Sequence, residues 1–481
     1  MEKSTLNIKY IQILLFLFAF FFIQGCESIP KEKTAYNVLM ISIDDLNDWI
    51  GVLGEHPDVK TPHLDRLVNQ GVLFTNAHCQ APIFGPSRAS LLSGLRPSTT
   101  RVYGQLKDDN LRLVPALKQI DFLPQYFGQH GYKTLGVGKI LHGHAPEGVF
   151  EVSGGRIKGF GPKKKIKWHQ NRTFTDWGIY PEHDSLMYDY TYAQWAKKEL
   201  QKKHDRPFFM AVGFIRPHVP WYAPQKWFEQ YAAQEISLPI YDPHDLDDLP
   251  EIAKESAFKG MIPTTDWAIE NGEWRNIVQA YLACISFVDH QVGIVLEALE
   301  NSEYKENTIV VLWSDHGYEI GEKGSFGKHT LWSESTRVPL IFKLPGTLIT
   351  GKIQQPVELL DIYPTLLDMT KLPNNPLNEG KSLYPMIQGG QEGQSLAITT
   401  YGMHNHSMVN STHRYIRYED GSEELYDLRI DPGERKNIAD RAESEPIKQS
   451  MIRHIPKLNA PWSAQSYNTV NEYFKRTSNS N

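Results

Sequence analysis

Residues 79–94 read CQAPIFGPSRASLLSG and directly follow a β-rich run. The Gly85-Pro86 pair predicts a turn, and the residues from Arg88 to Leu92 predict a helix with Ser87 as its N-cap. A strand–turn–helix junction presents backbone N–H groups and the positive end of a helix dipole, which favours an anion at the turn. On local chemistry alone, this segment fits an ordinary tight turn as well as an anion site.

The composition is that of a soluble globular protein. The chain has 481 residues, 41% of them hydrophobic and 22% charged, enough for one large domain with a smaller one, or for two comparable domains. The formal net charge of -6 gives no general attraction to nucleic acid. We therefore expect no nucleic-acid partner, and an anionic ligand would need a local basic site.

The N-terminus has the pattern of an export signal. Two lysines precede an apolar run at residues 11–23, which is short for a membrane span of roughly 20 residues but suits a signal peptide. The run ends in Ile-Gln-Gly-Cys26, which resembles a bacterial lipobox and predicts cleavage before Cys26 with a lipid on its sulfur. We predict a lipoprotein signal peptide at 1–25, a spacer at 26–35, and a lipid-anchored protein of the bacterial envelope, in the periplasm or at the outer-membrane surface. The alternative is an ordinary signal peptide with an incidental cysteine.

Acidic side chains follow two predicted buried strands. The apolar run 36–43 leads into Asp44-Asp45, and the run 308–313 leads into Asp315-His316. The carboxyl ends of strands are where α/β sheets usually place ligand sites, and converging carboxylates suit a hard divalent cation. Taken alone, the aspartate pair is better explained as solvated loop acids or a helix cap.

Basic side chains follow two further predicted strands. Lys139 and His142 come after the strand 134–138, and His218 comes after the strand 207–214. A lysine and a histidine beside a strand end can hold an anionic oxygen and move a proton. A surface lysine and structural histidines remain the alternative.

Several short motifs occur in an order that resembles the type I sulfatases, and in particular their iduronate-sulfatase-like branch. Pro86-Ser87-Arg88 followed by Leu91-Leu92-Ser93-Gly94 resembles the family signature. The full set is Asp44-Asp45, Pro86-Ser87-Arg88, Gly138-Lys139-x-x-His142, Pro217-His218-x-Pro220, Asp315-His316-Gly317 and Gly327-Lys328-His329. Each motif is weak alone, but their order over residues 36–440 is specific.

The resemblance implies the α/β fold of the sulfatase and alkaline-phosphatase-like proteins. We therefore expect a large mixed-sheet sandwich at 36–385, the catalytic-type domain, and a smaller C-terminal α+β subdomain at 386–481. Short strands are expected in that subdomain, with His404 and His406 in a loop that overhangs the pocket or is simply exposed.

The resemblance also implies the site. One divalent cation, expected to be Ca²⁺, would be bound by Asp44, Asp45, Asp315 and His316. A histidine among carboxylates is unusual for calcium, so the identity of the metal stays open. The residues expected to contact the sulfate ester or move protons are Arg88, Lys139, His142, His218 and Lys328.

Phe84 departs from the family pattern at the most important position. In the family this residue is a Cys or Ser, which a formylglycine-generating enzyme oxidises to formylglycine, whose hydrate is the nucleophile. A phenyl ring cannot be converted in this way, and Cys79 is out of register with Ser87-Arg88. That maturation enzyme would be a partner only if residue 84 were Cys or Ser.

Two functional hypotheses follow, with a third of lower weight. In the first, the chain hydrolyses sulfate esters on a sulfated, uronate-containing polysaccharide or oligosaccharide. In the second, it is a catalytically impaired pseudo-sulfatase that binds sulfated glycans, because Phe84 replaces the nucleophile. A phosphoesterase of the same superfamily would also need a Ser or Thr at position 84.

Overall fold

The computed structural model describes residues 35–170, 173–257, 262–390 and 395–467. The predicted signal peptide, the spacer up to residue 34 and the lipidation site Cys26 lie outside the described residues.

A nine-stranded mixed sheet forms the centre of the fold. Its strands are β1 (Asn37–Asp44), β2 (Val72–His78), β3 (Lys133–Gly138), β4 (Val152–Gly155), β6 (Phe208–Pro217), β8 (Thr308–Ser314), β9 (Arg337–Lys343), β10 (Gly351–Ile353) and β11 (Val357–Glu358). They lie in the order β10-β2-β9-β8-β1-β6-β3-β4, with β11 also paired to β2. β9 runs antiparallel to β2 and β8, whereas the other pairs are parallel. A separate pair consists of β5 (Trp177–Ile179) and β7 (Trp221–Ala223).

Every residue of β1 and of β8 is buried, which explains why both read as continuous apolar runs. Alternate side chains of β1 enter different cores: Leu39 and Ile41 join one hydrophobic cluster, and Val38 and Met40 join the other. The two strands are parallel neighbours, with Ile43 opposite Ser314. The residues that follow them therefore emerge side by side at one edge of the sheet.

Helices cover both faces of this sheet. The α-helices are α1 (Pro62–Asn69), α2 (Phe84–Ser93), α3 (Pro97–Thr100), α4 (Leu123–Gln129), α5 (Tyr188–Leu200), α6 (Gln225–Phe228), α7 (Glu251–Ala257), α8 (Thr265–Glu270), α9 (Trp274–Glu300), α10 (Ser333–Thr336), α11 (Ile362–Thr370), α12 (Tyr384–Ile387) and α13 (Glu445–Ile452). Helices α1, α5 and α9 contribute to one core, and α2, α4 and α11 to the other.

Helix α9 is the longest element and forms most of one core. It is long and apolar enough to cross a membrane by composition, but most of it is buried inside the protein, as in the core helix of a globular domain. Its Asp289 carboxylate accepts hydrogen bonds from the His63 and Leu64 N–H groups, at 3.2 and 2.8 Å. This acid thus satisfies the N-terminal donors of α1.

A four-stranded antiparallel sheet forms the smaller C-terminal part, as expected. Its strands are β12 (Ala397–Thr400), β13 (His406–Val409), β14 (His413–Arg417) and β15 (Glu423–Asp427). The expectation that His406 lies in an overhanging loop is wrong. His406 is buried in β13, where its ring bonds Thr400 and Asn459 at 3.0 and 2.9 Å.

Helix α2 begins earlier than the sequence predicted. Phe84 is its first residue and Ile83 is its N-cap, so Ser87 lies one turn inside the helix. The Ser87 hydroxyl donates to the Asp315 carbonyl at 2.6 Å instead of capping the helix. This tertiary hydrogen bond ties α2 to the end of β8.

Candidate active site

Four potential metal ligands converge where β1 and β8 end. One ligand atom from each of Asp44, Asp45, Asp315 and His316 lies within 4.8 Å of the others, and all four residues are buried. Asp45 has φ +64, a backbone conformation that few residues other than glycine adopt. Such strain persists where the surroundings hold it, commonly at functional sites.

Hydrogen bonds hold these ligands in place. Asp315 Oδ1 accepts from the Asp45 and His316 N–H groups at 3.2 and 3.1 Å, which links the two strand ends. The Tyr281 hydroxyl of α9 donates to the Asp45 carbonyl at 2.8 Å. His316 Nδ1 lies 2.9 Å from the Gly317 carbonyl, so Nδ1 carries the proton and Nε2 faces the acids with its lone pair.

The cluster fits a divalent cation. Among the described residues, Asp44 Oδ1, Asp45 Oδ2 and His316 Nε2 are buried without a hydrogen-bond partner. Buried polar atoms nearly always have a partner, so three such atoms in one cluster of residues indicate a ligand. Carboxylate oxygens and a neutral imidazole are suitable donors for such a cation.

Three cationic side chains surround the acids. The fully buried Arg88 donates from Nε to Asp315 Oδ2 at 2.6 Å, and its Nη2 lies 3.9 Å from Asp44 Oδ1. Lys139 Nζ is paired with Asp44 Oδ2, and Lys328 Nζ with Asp45 Oδ1. Each predicted cation therefore contacts one of the predicted metal ligands.

Burial and charge shift the pKa values of these acids in different directions. Burial would raise the pKa of Asp44, but the surrounding cations, Lys139 foremost, hold it well below its ordinary value. Burial raises the pKa of Asp45 to about 7, against the attraction of Lys328 and with added repulsion from Asp44 and Asp315. The pKa of Asp315 is also raised by burial, partly against the pull of Arg88. A divalent cation bound among these acids would favour their charged forms and so lower their pKa values.

The histidines of the site are held in their neutral form. Burial lowers the pKa of His218 well below its ordinary value, despite the attraction of Asp44. Burial and then Lys328 lower the pKa of His316, and burial and then Lys139 lower that of His142. His142 Nδ1 lies 2.7 Å from the Leu106 carbonyl, and His218 Nδ1 lies 2.6 Å from the Val219 carbonyl. In each ring this leaves Nε2 as the acceptor.

The ring of Phe84 lies in the middle of these groups. Lys139 Nζ is 3.8 Å and Lys328 Nζ is 4.9 Å from its centroid. The rings of His142 and His218 have their centroids 4.8 and 5.9 Å away. An apolar ring thus occupies the place on which the cations and histidines converge.

The sequence matches two profiles of known protein families. The sequence profile of the Sulfatase family matches residues 36–372. The chain belongs to the sulfatase family. A second profile, the C-terminal part of N-sulphoglucosamine sulphohydrolase, matches residues 321–461.

Other sulfatases are similar to most of the chain. A sulfatase of Formosa agariphila is 46% identical over 465 residues, covering 93% of this chain and 92% of the relative. Human iduronate 2-sulfatase is 32% identical over 402 residues, covering 76% of this chain and 70% of the relative. The solved structure of a 2-O GAG sulfatase, 24% identical, has a TM-score of 0.68, and the match covers 86% of this chain and 90% of that one. It supports the fold alone.

The structure places all ten sequence-predicted residues of this sulfatase in one site. They are Asp44, Asp45, Phe84, Arg88, Lys139, His142, His218, Asp315, His316 and Lys328. Sequence reasoning missed the residues that support them, such as Tyr281 and Ser42, whose hydroxyl accepts from Arg88 Nη1 at 3.1 Å. Neither residue belongs to a motif, and Tyr281 sits at core spacing along α9, so no local signal indicated its role.

Proposed function

We propose that the chain hydrolyses sulfate esters of a sulfated, uronate-containing glycan. The observation that carries the proposal is the buried cluster of three carboxylates and a neutral histidine, faced by Arg88, Lys139 and Lys328. The similarity to an iduronate 2-sulfatase supports a uronate as the sulfated sugar.

The charges of the site suit a sulfate ester. The carboxylates of Asp44, Asp45 and Asp315 face three cationic side chains, so these residues balance one another. A bound divalent cation leaves positive charge in excess, which attracts the single negative charge of a sulfate ester. Because the site is buried, this attraction is screened little by water.

The proposed cation is Ca²⁺, held by Asp44, Asp45, Asp315 and His316; when bound, it neutralises charge on the sulfuryl oxygens. Lys139 and Lys328 both lie close to the Phe84 ring and are placed to hold the remaining oxygens. Nε2 of the neutral His142 or His218 is able to accept a proton from an attacking water and then to donate that proton to the leaving ester oxygen.

The side chain at position 84, where the family has its nucleophile, cannot attack the sulfur atom. Phe84 has no oxygen, so hydrolysis would proceed by direct attack of water. Loss of a covalent nucleophile typically leaves residual catalysis, on the order of a thousandfold or more below the intact rate. We therefore expect slow turnover.

Phe84 is also the one observation in favour of a glycan-binding protein without turnover. The relatives give that alternative no support, since they carry the names of sulfatases. A formylglycine-generating enzyme enters the proposal only for a variant with Cys or Ser at position 84.

The experiment measures binding and sulfate release together. The purified chain, in buffer with Ca²⁺, is titrated calorimetrically with a 2-O-sulfated uronate disaccharide, and free sulfate is followed by ion chromatography over days. We expect binding that Lys139→Met and Lys328→Met each weaken, while Lys226→Met, a change at a largely exposed lysine paired with Asp184, leaves it unaltered. Absence of binding and of release with every sulfated uronate would refute the proposal. Binding without release would favour the non-hydrolytic alternative.

We further propose that the protein is exported and lipid-anchored in the bacterial envelope. The apolar run at 11–23 and the lipobox-like Ile-Gln-Gly-Cys26 support this. Cells expressing the chain are labelled with a radioactive fatty acid and fractionated. We expect label on the membrane-bound protein and none on Cys26→Ser. Equal labelling of both would contradict the proposal.

A further inference from the structure

Arg156 places a guanidinium next to the active site without an acidic partner. It follows β4, and its Nη1 donates to the His142 carbonyl at 2.7 Å and to the Gly143 carbonyl at 3.4 Å. Among the residues that the structure describes, no carboxylate forms an ion pair with it. Its charge is therefore held in place by backbone oxygens and left unneutralised.

Two nitrogen donors of this guanidinium make no hydrogen bond with the described residues. Among the described residues, Arg156 Nε is buried without a hydrogen-bond partner, and no hydrogen bond involves Nη2. The Nε and Nη2 donors lie in one plane and form a fork that matches the two oxygens of a carboxylate. A buried donor without an acceptor costs free energy, which a ligand oxygen would recover.

The position of Arg156 connects it to the catalytic cluster. The same His142 whose carbonyl holds Arg156 has its ring 4.8 Å from the Phe84 ring. Arg156 is also close enough to His142 and Lys139 to contribute to lowering their pKa values, after burial in both cases. In a sulfated uronate the carboxylate and the sulfate ester are on the same sugar ring, so the two groups need receptors this close together.

We propose that Arg156 binds the carboxylate of the uronic acid that carries the sulfate ester, through Nε and Nη2. This inference rests on the proposed function and deepens it, because it assigns the residue that distinguishes an acidic sugar from a neutral one. Arginine suits this role better than lysine, since its planar fork bonds both carboxylate oxygens at once.

The test uses two ligands and matched variants. The full chain in buffer with Ca²⁺ is titrated calorimetrically with a 2-O-sulfated uronate disaccharide and with its carboxyl-reduced counterpart, in which a hydroxymethyl group replaces the carboxylate. We expect the wild type to bind the acidic ligand about ten- to a hundredfold more tightly. Arg156→Gln should abolish that preference, and Arg156→Lys should retain only a small part of it. Because the comparison is between ligands, a general disturbance of the His142 backbone cancels.

Lys163→Gln/Lys164→Gln provides the control, since both residues are exposed on the segment that follows Arg156. We expect it to weaken both ligands equally and to keep the preference. Equal binding of the two ligands by the wild type would overturn the inference while leaving the proposed function intact. Retention of the preference by Arg156→Gln would also overturn it. Failure of both ligands to bind would refute the proposed function itself.

Discussion

Replacing Phe84 by cysteine should convert slow hydrolysis into efficient turnover. Expressed together with a formylglycine-generating enzyme, Phe84→Cys would place a hydrated aldehyde at the start of α2, where the phenyl ring now lies. That position is 3.8 Å from Lys139 Nζ and 4.8 Å from the centre of the His142 ring, measured from the ring centroid. The new oxygen would therefore have a cation to stabilise its charge and a neutral imidazole to accept its proton.

The expected gain is on the order of a thousandfold in kcat, or about 4 kcal/mol in the activation free energy. Sulfate release from a 2-O-sulfated uronate disaccharide gives the rate, and mass spectrometry of the peptide that contains residue 84 gives the extent of oxidation. Binding of the ligand should change little, because the cations and the metal ligands are untouched.

Phe84→Ala is the matched control, because it removes the ring without supplying a nucleophile. Phe84→Cys expressed without the maturation enzyme is the second control. The reasoning is refuted if Phe84→Ala gains as much activity as the oxidised cysteine, since the ring would then act only as a steric block. It is equally refuted if the unaltered chain releases sulfate as fast as the oxidised variant.

Three further predictions concern stability. Ca²⁺ at a hundred times its Kd should stabilise the wild type by about 2.7 kcal/mol. Thermal unfolding with and without a chelator measures this stabilisation, and Asp45→Asn should lose it. An unchanged stabilisation in the variant would contradict the assignment of Asp45 as a metal ligand. Arg88→Met should cost roughly 3–5 kcal/mol in urea unfolding, because it leaves the buried Asp315 carboxylate unpaired, whereas the part-exposed Arg417→Met should cost less than 1 kcal/mol. Burial lowers the pKa of His406 from 6.5 to about 4. As the pH falls, the unfolded chain therefore takes up the proton before the folded one does. This residue thus contributes roughly 3 kcal/mol to the free energy of unfolding, which is present above pH 6.5 and lost towards pH 4. His406→Gln should lack this part of the pH dependence, and an identical slope in the variant would contradict it.

The residues at strand ends were predictable because their signal is local. Continuous apolar runs mark strands buried on both faces, and the acids that follow them have to leave the sheet at its carboxyl edge. The parallel pairing of β1 with β8 then places Asp44 beside Asp315. The strands predicted at 36–43, 134–138, 207–214 and 308–313 lie within three residues of their observed bounds.

Other features depend on contacts that the sequence does not encode locally. Ser87 has the pattern of an N-cap, but its hydroxyl bonds the Asp315 carbonyl and the helix begins at Phe84. His406 lies in a polar segment that resembles a loop, yet it belongs to β13, whose pairing with β12 and with β14 buries it. Arg156 belongs to no motif. Only the structure shows that its Nη1 donates to the His142 carbonyl while its Nε is without a hydrogen-bond partner among the described residues.

The geometry around Phe84 separates binding of a sulfate ester from its hydrolysis. An aromatic face attracts ammonium groups, by about 0.5–2 kcal/mol for each pair. Lys139 and Lys328 are also paired with Asp44 and Asp45, and these carboxylates hold them in position without the ring. Among the described residues, Asp44 Oδ1 and Asp45 Oδ2 have no hydrogen-bond partner, so these ligand atoms of the proposed metal site do not depend on the ring. Replacement of the nucleophile by phenylalanine therefore removes the attacking oxygen while the groups that recognise the ester remain in place. For this reason affinity and turnover should respond to different substitutions: affinity to the cations, and turnover to residue 84.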